Sequence, residues 1–314
     1  MQIDFIKCHG SGNDFPLIDA RGMALSDAEW AGIARALADR AGPVGGDGIL
    51  LLTRGSKNAP FSMRMFNSDG SEAETCLNGL RCVARAGFGA LGVAQATVQL
   101  KTSTAEVARD ADLALGVYTV RETAGPAGLD VSRWPLMGAT RLVDALVPGL
   151  PSPRLFTAVA MPNPHLISFV DRIDDAELSA IGAVCEAAPD WLPNRANVSF
   201  VELRGRDLFV RTFERGVGLT DSCGSAMAAA TAAACLTGRI ADDAPLTVFN
   251  RGGMVRASAS PELMVTLSGN ASFEWRGSIS IDLASGRLGA LTVIERYDDE
   301  VAAWDAVLAG ISDR

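Results

Sequence analysis

Lysine is scarce in this chain: among 314 residues only Lys7, Lys57 and Lys101 occur. That leaves few candidates for a pyridoxal Schiff base, and none of the three lies in a phosphate-cradling context. Histidine occurs only at His9 and His165, and the six cysteines (Cys8, Cys76, Cys82, Cys185, Cys223, Cys235) include no CxxC pair. The nearest approach to a metal set is Cys76 and Cys82 with distant histidines, which argues against a zinc or dithiol-redox module. In a reducing compartment these cysteines are expected to be free thiols. No apolar run reaches the roughly 20 residues of a membrane span. The opening MQIDFIKCHG has no basic segment followed by an apolar one, so no signal peptide is expected and the cytoplasm is the expected location. A net charge of −9 and a pI near 4.8 argue against nucleic acid as the main partner.

What is present is enough apolar material for real cores. Hydrophobic residues make up 48% of a length that fits two domains. Residues 2–7 read as a strand, CHGSGNDF (8–15) as a Gly-rich loop, and 26–40 as an amphipathic helix with Ser26 and Glu29 as a capping box. Strands are expected near 44–52, 98–107 and 112–120. The segment 61–92 reads as strand, turn, cysteine and helix. After a Gly/Pro-rich region at 124–137 the order resumes, with a helix near 174–187, strands in NVSFVEL and LFVRTFERG, a cysteine and its helix, then LTVFNRGGMVRAS.

The halves resemble each other by count. Asn13 and Asn163 are 150 residues apart, as are Asp47 and Asn197; Arg64 and Arg211 are 147 apart, as are Cys76 and Cys223. Four ordered matches with one slip indicate a duplicated domain. The stretch from Arg211 to Gly238 shows the chemistry most clearly. A β-like segment and a Gly-rich turn lead to Cys223, and an Ala-rich helical run follows, with Gly238 as its stop. A cysteine at a helix N-terminus has backbone N–H groups and the positive end of the helix dipole beside it, which favour anions and thiolates. The ordinary fate of a lone cysteine is a small buried side chain, but Cys76 repeats the arrangement. A cleft between two such domains would place a thiol on each side of a ligand. Inverting a stereocentre by proton transfer needs a base on one face of the carbon and an acid on the other. One thiolate and one thiol supply both without a cofactor, and the helix N-termini would stabilise the developing charge.

These residues resemble the diaminopimelate epimerase family. HGSGNDF is similar to its N-terminal signature, FNSDGSEAETCLNGLRC to its first cysteine motif, MPNPH to its G-N-P-H motif, and ERGVGLTDSCGSA to its second cysteine motif. The match runs over roughly residues 3–280 in order. The resemblance implies an α/β (α+β) fold of two similar domains, each a curved β-structure around a central helix. It implies halves at 1–122 (joined by a late strand near 274–284) and 123–273. The tail at 285–314 exceeds the family's usual end, and its own periodicity reads as a helix in which Val301, Trp304, Val307 and Leu308 share a face. By the same resemblance Cys76 and Cys223 form the acid/base pair. Asn13, Asn67, Asn163, Asn197, Glu214 and Arg215 would hold the substrate's distal end, and the backbone N–H groups of Leu77, Asn78, Gly224 and Ser225 would hold the reacting carboxylate. His165 would order a thiol or its loop. The implied function is cofactor-independent conversion of LL- to meso-diaminopimelate, with no metal, in a homodimer whose partner is a small-molecule amino-acid substrate. Leu77 and Leu80 depart from the family's small residues, and Gly48 from a frequent Gln. A racemase of another amino acid, such as histidine, or a non-catalytic amino-acid-binding relative is therefore the alternative.

Overall fold

The computed structural model describes residues 1–161 and 163–312, so Pro162 of MPNPH and the last two residues of the expected tail lie outside the description. Contacts divide the chain into one unit of Met1–Glu122 with Ser268–Arg314 and another of Thr123–Leu267.

The first unit opens with β1 (Gln2–Gly10) and β2 (Asn13–Asp19), which are antiparallel with Gly10 opposite Asn13. What the sequence suggests as a Gly-rich loop over 8–15 is mostly strand. Only Ser11 and Gly12 turn, with φ of 51° and 82°. Two consecutive positive φ values describe a two-residue hairpin whose twist matches its strands, and Gly12 suits the second position. The chain continues through α1 (Asp27–Ala38), β3 (Gly48–Ser56), β4 (Ala59–Asn67), α2 (Leu77–Leu91), β5 (Gln95–Gln99), β6 (Thr104–Asp110) and β7 (Thr119–Ala124). The capping box of α1 forms as expected, with the Ser26 hydroxyl accepting from the Glu29 N–H and Glu29 accepting from the Ser26 N–H. Trp30, Ile33, Ala34 and Leu37 of α1 enter a core with Ile3, Ile18, Ile49, Leu51 and Phe66. The strand expected over 112–120 is confined to its end, because β7 starts only at Thr119. The Thr119 hydroxyl accepts from the Leu113 N–H at 2.9 Å and holds the preceding segment in an irregular path.

The second unit holds β8 (Thr157–Ala160), β9 (Pro164–Phe169), α3 (Asp175–Glu186), β10 (Asn197–Arg204), β11 (Asp207–Glu214), β12 (Gly218–Thr220), α4 (Gly224–Leu236), β13 (Leu246–Asn250) and β14 (Gly253–Ala259). Its core gathers Val131, Leu142, Phe156, Leu166, Leu178, Val198 and Phe200. Helix α4 is buried along nearly all of its length, and seven of its thirteen residues are alanine. A helix enclosed on every side needs a thin profile, which alanine gives while favouring the helix. Gly238, with φ of 70°, closes it: the Gly238 N–H donates to Cys235 O and the Arg239 N–H to Ala234 O.

The strand pairings repeat between the units. In the first, β2 runs parallel to β3, β3 antiparallel to β4, β4 parallel to β5 and β5 antiparallel to β6. In the second the same sequence of directions joins β9, β10, β11, β13 and β14. The register corrects one of the proposed matches. Leu51 pairs with Arg64, and Phe200 pairs with Arg211, so β3 and β10 are offset by 149. Asn197 therefore stands where Gly48 stands, not where Asp47 stands. Asp47 lies just before β3 and is free to take another role.

From β15 (Val265–Asn270) the chain enters β16 (Ser272–Ile281), which pairs with β1, then β17 (Leu288–Arg296) and α5 (Asp298–Ser312). The tail expected to be helical from 285 thus contains a strand first, consistent with the β-branched Thr292, Val293 and Ile294. Helix α5 packs on its own unit. Trp304 is buried with its ring 5.6 Å from His9, and Glu300 pairs with Arg85.

Candidate active site

Cys76 is the N-cap of α2, and its sulfur accepts from the Gly79 N–H at 3.3 Å. Gly79 has little space: a Cβ there would lie 2.6 Å from a Leu50 methyl and 3.3 Å from the Cys76 sulfur. The helical ladder starts with the Leu80 N–H donating to Cys76 O at 2.8 Å, so the Leu77 and Asn78 N–H groups precede it at the positive end of the helix. Leu77 is buried and does not require positive φ, so the side chain in place of a family glycine is accommodated. The Cys76 thiol also donates to Asn13 Oδ1 at 3.7 Å. The hairpin at Ser11–Gly12 makes this possible by placing Asn13 at the first position of β2.

Beneath the start of α2 lies a buried ion pair between Arg81 and Glu122, 2.8 Å apart with both side chains fully enclosed. The Arg81 guanidinium further donates to Asn78 Oδ1 at 2.8 Å, to Asn270 O at 3.1 Å and to Ser11 Oγ at 3.3 Å. It thereby ties the first turn of α2 to the β1–β2 hairpin. Gly10 and Gly269 leave the room: Cβ atoms there would lie 2.5 Å from Asn78 O and 2.6 Å from the guanidinium. Burial pushes the Glu122 carboxyl up to about 7 against the pull of Arg81. Sequence reading gave Arg81 and Glu122 no role, because no local pattern reveals that residues 41 apart meet in the core.

Cys223 is the N-cap of α4, with its sulfur 3.5 Å from Ser225 Oγ. The Met227 N–H donates to Cys223 O, so the Gly224 and Ser225 N–H groups precede the ladder, as at α2. Both thiols differ from the low-pKa thiolate expected at a helix start. Burial pushes Cys76 up to about 12, opposed by the Gly79 N–H, while Glu122 adds to the rise and Arg81 opposes it. Burial also raises Cys223 well above the usual thiol range; the Glu214 carboxylate adds to this, and the Ser225 hydroxyl and Ala226 N–H oppose it. Removing a sulfur from water disfavours its anion more than these donors favour it.

The remaining expected site residues fall in two groups. Asn67 ends β4, with its Nδ2 donating to Ser71 Oγ at 3.0 Å. In the second unit, Asn163, His165, Asn197, Glu214 and Arg215 gather around the ends of β9, β10 and β11. His165 Nε2 donates to Asn163 Oδ1 at 3.2 Å, and Asn197 Nδ2 lies 3.5 Å from the same nitrogen. Asn197 Oδ1 accepts from the Arg215 N–H at 2.8 Å, Arg215 Nη1 donates to Asn194 O at 3.1 Å, and Glu214 accepts from the Thr220 hydroxyl. His165 is fully buried, and burial, with the nearby Arg215 charge, lowers it to about 3, so the ring is neutral. Among the described residues no group of His, Cys, Asp and Glu could hold a metal, and no helix is long and apolar enough to cross a membrane.

The diaminopimelate epimerase family model matches residues 5–112 and 157–273. The chain is 37% identical to the diaminopimelate epimerase of Listeria monocytogenes serovar 1/2a over 293 residues, covering 89% of each chain. It is 38% identical to that of Clostridium acetobutylicum over 290 residues, 90% of this chain and 87% of the other. Among solved structures, a hydroxyproline epimerase from Agrobacterium vitis shares the fold, with a TM-score of 0.63, 11% identity and coverage of 98% of this chain and 97% of that one. With a family match covering both cysteine-capped helices, and with relatives this similar along most of their length, the chain belongs to the diaminopimelate epimerase family.

Proposed function

We propose that this protein interconverts LL- and meso-diaminopimelate by cofactor-independent proton transfer between two cysteines and the substrate α-carbon. The observation that carries the reading is the repeated placement of a cysteine at the N-cap of a buried helix, Cys76 on α2 and Cys223 on α4. The names of the relatives supply the substrate.

In this reading one cysteine, as thiolate, takes the α-proton from one face while the other thiol delivers a proton to the opposite face. Each turnover leaves the first cysteine protonated and the second as thiolate, so the reverse reaction uses the two in swapped roles. A thiol held up by burial is a poor base in the resting protein, but a sulfur with a raised pKa is a stronger base once deprotonated. That strength suits the weakly acidic α-carbon. The Leu77, Asn78, Gly224 and Ser225 N–H groups would hold the α-carboxylate and stabilise the charge that builds on it. At the distal end Arg215 would meet the carboxylate, while Glu214 and the oxygens of Asn67, Asn163 and Asn197 would accept from the ammonium. Asn13 belongs to the same set, beside Cys76. A homodimer in the cytoplasm completes the proposal.

The test is proton NMR in D2O under reducing conditions with LL-diaminopimelate and no added cofactor. Washout of the α-proton signal, lost in both Cys76→Ala and Cys223→Ala, is the expected result. Washout with another amino acid but not with diaminopimelate would move the substrate assignment. No exchange with any amino acid would overturn the catalytic reading.

A further inference from the structure

We propose that Asp47 is a positioning residue for Cys76, acting through the side-chain amide of Asn13. The proposal rests on the reading of Cys76 as a proton-transfer group. The contacts run in one direction. Asn13 Nδ2 donates to Asp47 Oδ2, and the Cys76 thiol donates to Asn13 Oδ1 at 3.7 Å. A carboxylate accepts and cannot donate. Asp47 therefore fixes which way the Asn13 amide faces, with its NH2 toward the carboxylate and its C=O toward the sulfur. An asparagine without that neighbour could turn over and offer the sulfur an N–H instead.

Asp47 is itself held from several sides. Arg40 Nη2 donates to Asp47 Oδ1 at 2.6 Å, the Asp14 N–H donates to Oδ2 at 3.2 Å, and the Asp47 N–H donates to Asp14 O at 2.8 Å. Arg40 also grips Asp14 at 2.6 and 3.0 Å, and Lys7 pairs with Asp14 behind it. This ionic frame fastens the entry to β3 against the start of β2. Its effect at the sulfur is directional. A carbonyl facing Cys76 stabilises the protonated thiol, whereas an amide N–H in its place would stabilise the thiolate. The frame thus keeps Cys76 loaded as an acid until substrate arrives. The other charged or titratable groups that reach this sulfur are Glu122 on β7 and Arg81 and Cys82 on α2. None of these lies in the chain of contacts from Asp47.

The experiment reads the sulfur directly. Alkylation by iodoacetamide at pH 8 is followed by mass spectrometry, separately for the peptides containing Cys76 and Cys223, in the wild-type chain and in Asp47→Asn. The variant is isosteric, leaves Arg40 its contacts with Asp14, and lets the Asn13 amide reverse. A fall of about one unit in the Cys76 pKa raises its alkylation rate roughly threefold to tenfold, allowing for the lower nucleophilicity of a less basic thiolate. The expected result is that increase at Cys76, no change at Cys223, and a return to the wild-type rate in Asp47→Glu. Asp47→Ala should change the rate in the same direction by a smaller step. An unchanged Cys76 rate in folded Asp47→Asn would overturn the proposal. Loss of fold in both Asp47→Asn and Asp47→Ala would also overturn it, by assigning Asp47 to the scaffold. None of these readings depends on turnover, so failure of the epimerase assay and failure of this proposal are separate results.

Discussion

At the scale of single residues, His165 has the clearest consequence for pH. Its ring is fully buried and lowered to about 3 from the usual 6.5, and its Nδ1 has no hydrogen-bond partner among the described residues. An unfolded chain binds a proton at this position as the pH falls below about 6.5, while the folded chain resists. The stability that comes from keeping this ring neutral is complete above pH 6.5 and drains away as the pH falls toward 3. His9, lowered by burial to about 4, acts in the same direction. Stability measured by urea unfolding should therefore fall between pH 6.5 and 4.5 by on the order of 1.4 kcal/mol per pH unit for each such histidine. The slope should be shallower in His165→Gln; an equal slope in that variant would remove His165 from the account. The sequence offers His165, one of only two histidines, as a residue that would order a thiol or its loop, and shows nothing of its burial. Asp47 was legible only as a spacing marker, because its partner Asn13 sits 34 residues away and the wrong repeat mate obscured its role.

At the scale of elements, the first turn of α2 is set by clearance as much as by hydrogen bonds. The β1 strand passes so near it that a methyl group at residue 10 would reach 2.5 Å from Asn78 O. Gly10→Ala should force strand and helix apart, costing about 1–3 kcal/mol in thermal or urea unfolding. It should also lower proton exchange activity more than it lowers stability, because the displaced turn carries the Leu77 and Asn78 N–H groups. Activity that merely follows the folded fraction would count against this. Elements with local signatures were readable in advance: the Ser26–Glu29 capping box, the alanines of α4 and the glycine that closes it. The elements that were misread depend on distant partners. The segment CHG is strand because β16 and β2 flank it, and Leu288–Arg296 is strand because β16 pairs with it. The stretch before Thr119 has strand-like composition but bonds to a threonine hydroxyl instead of a ladder.

At the scale of the whole molecule, the last helix is fastened to the unit that begins the chain. Arg85 holds Glu300 through two contacts of 2.5 and 2.7 Å, and Glu300 also accepts from the Phe273 N–H. Glu300→Ala leaves a half-buried guanidinium stacked on Phe273 without its carboxylate. It should cost about 2–3 kcal/mol, somewhat less than a fully enclosed pair, and a shift in thermal midpoint measures it. No change in that midpoint would show that α5 contributes by packing alone, through Trp304. The two units share a strand order, yet each holds its equivalent asparagine differently: Asn13 leans on a carboxylate in a salt-bridged frame, and Asn163 on a buried neutral imidazole. An ancestor made of two identical halves would have held both in one way. The copies are therefore not interchangeable at this position: a gene fused from two first halves would encode a protein with a salt-bridged carboxylate beside both asparagines and an imidazole beside neither.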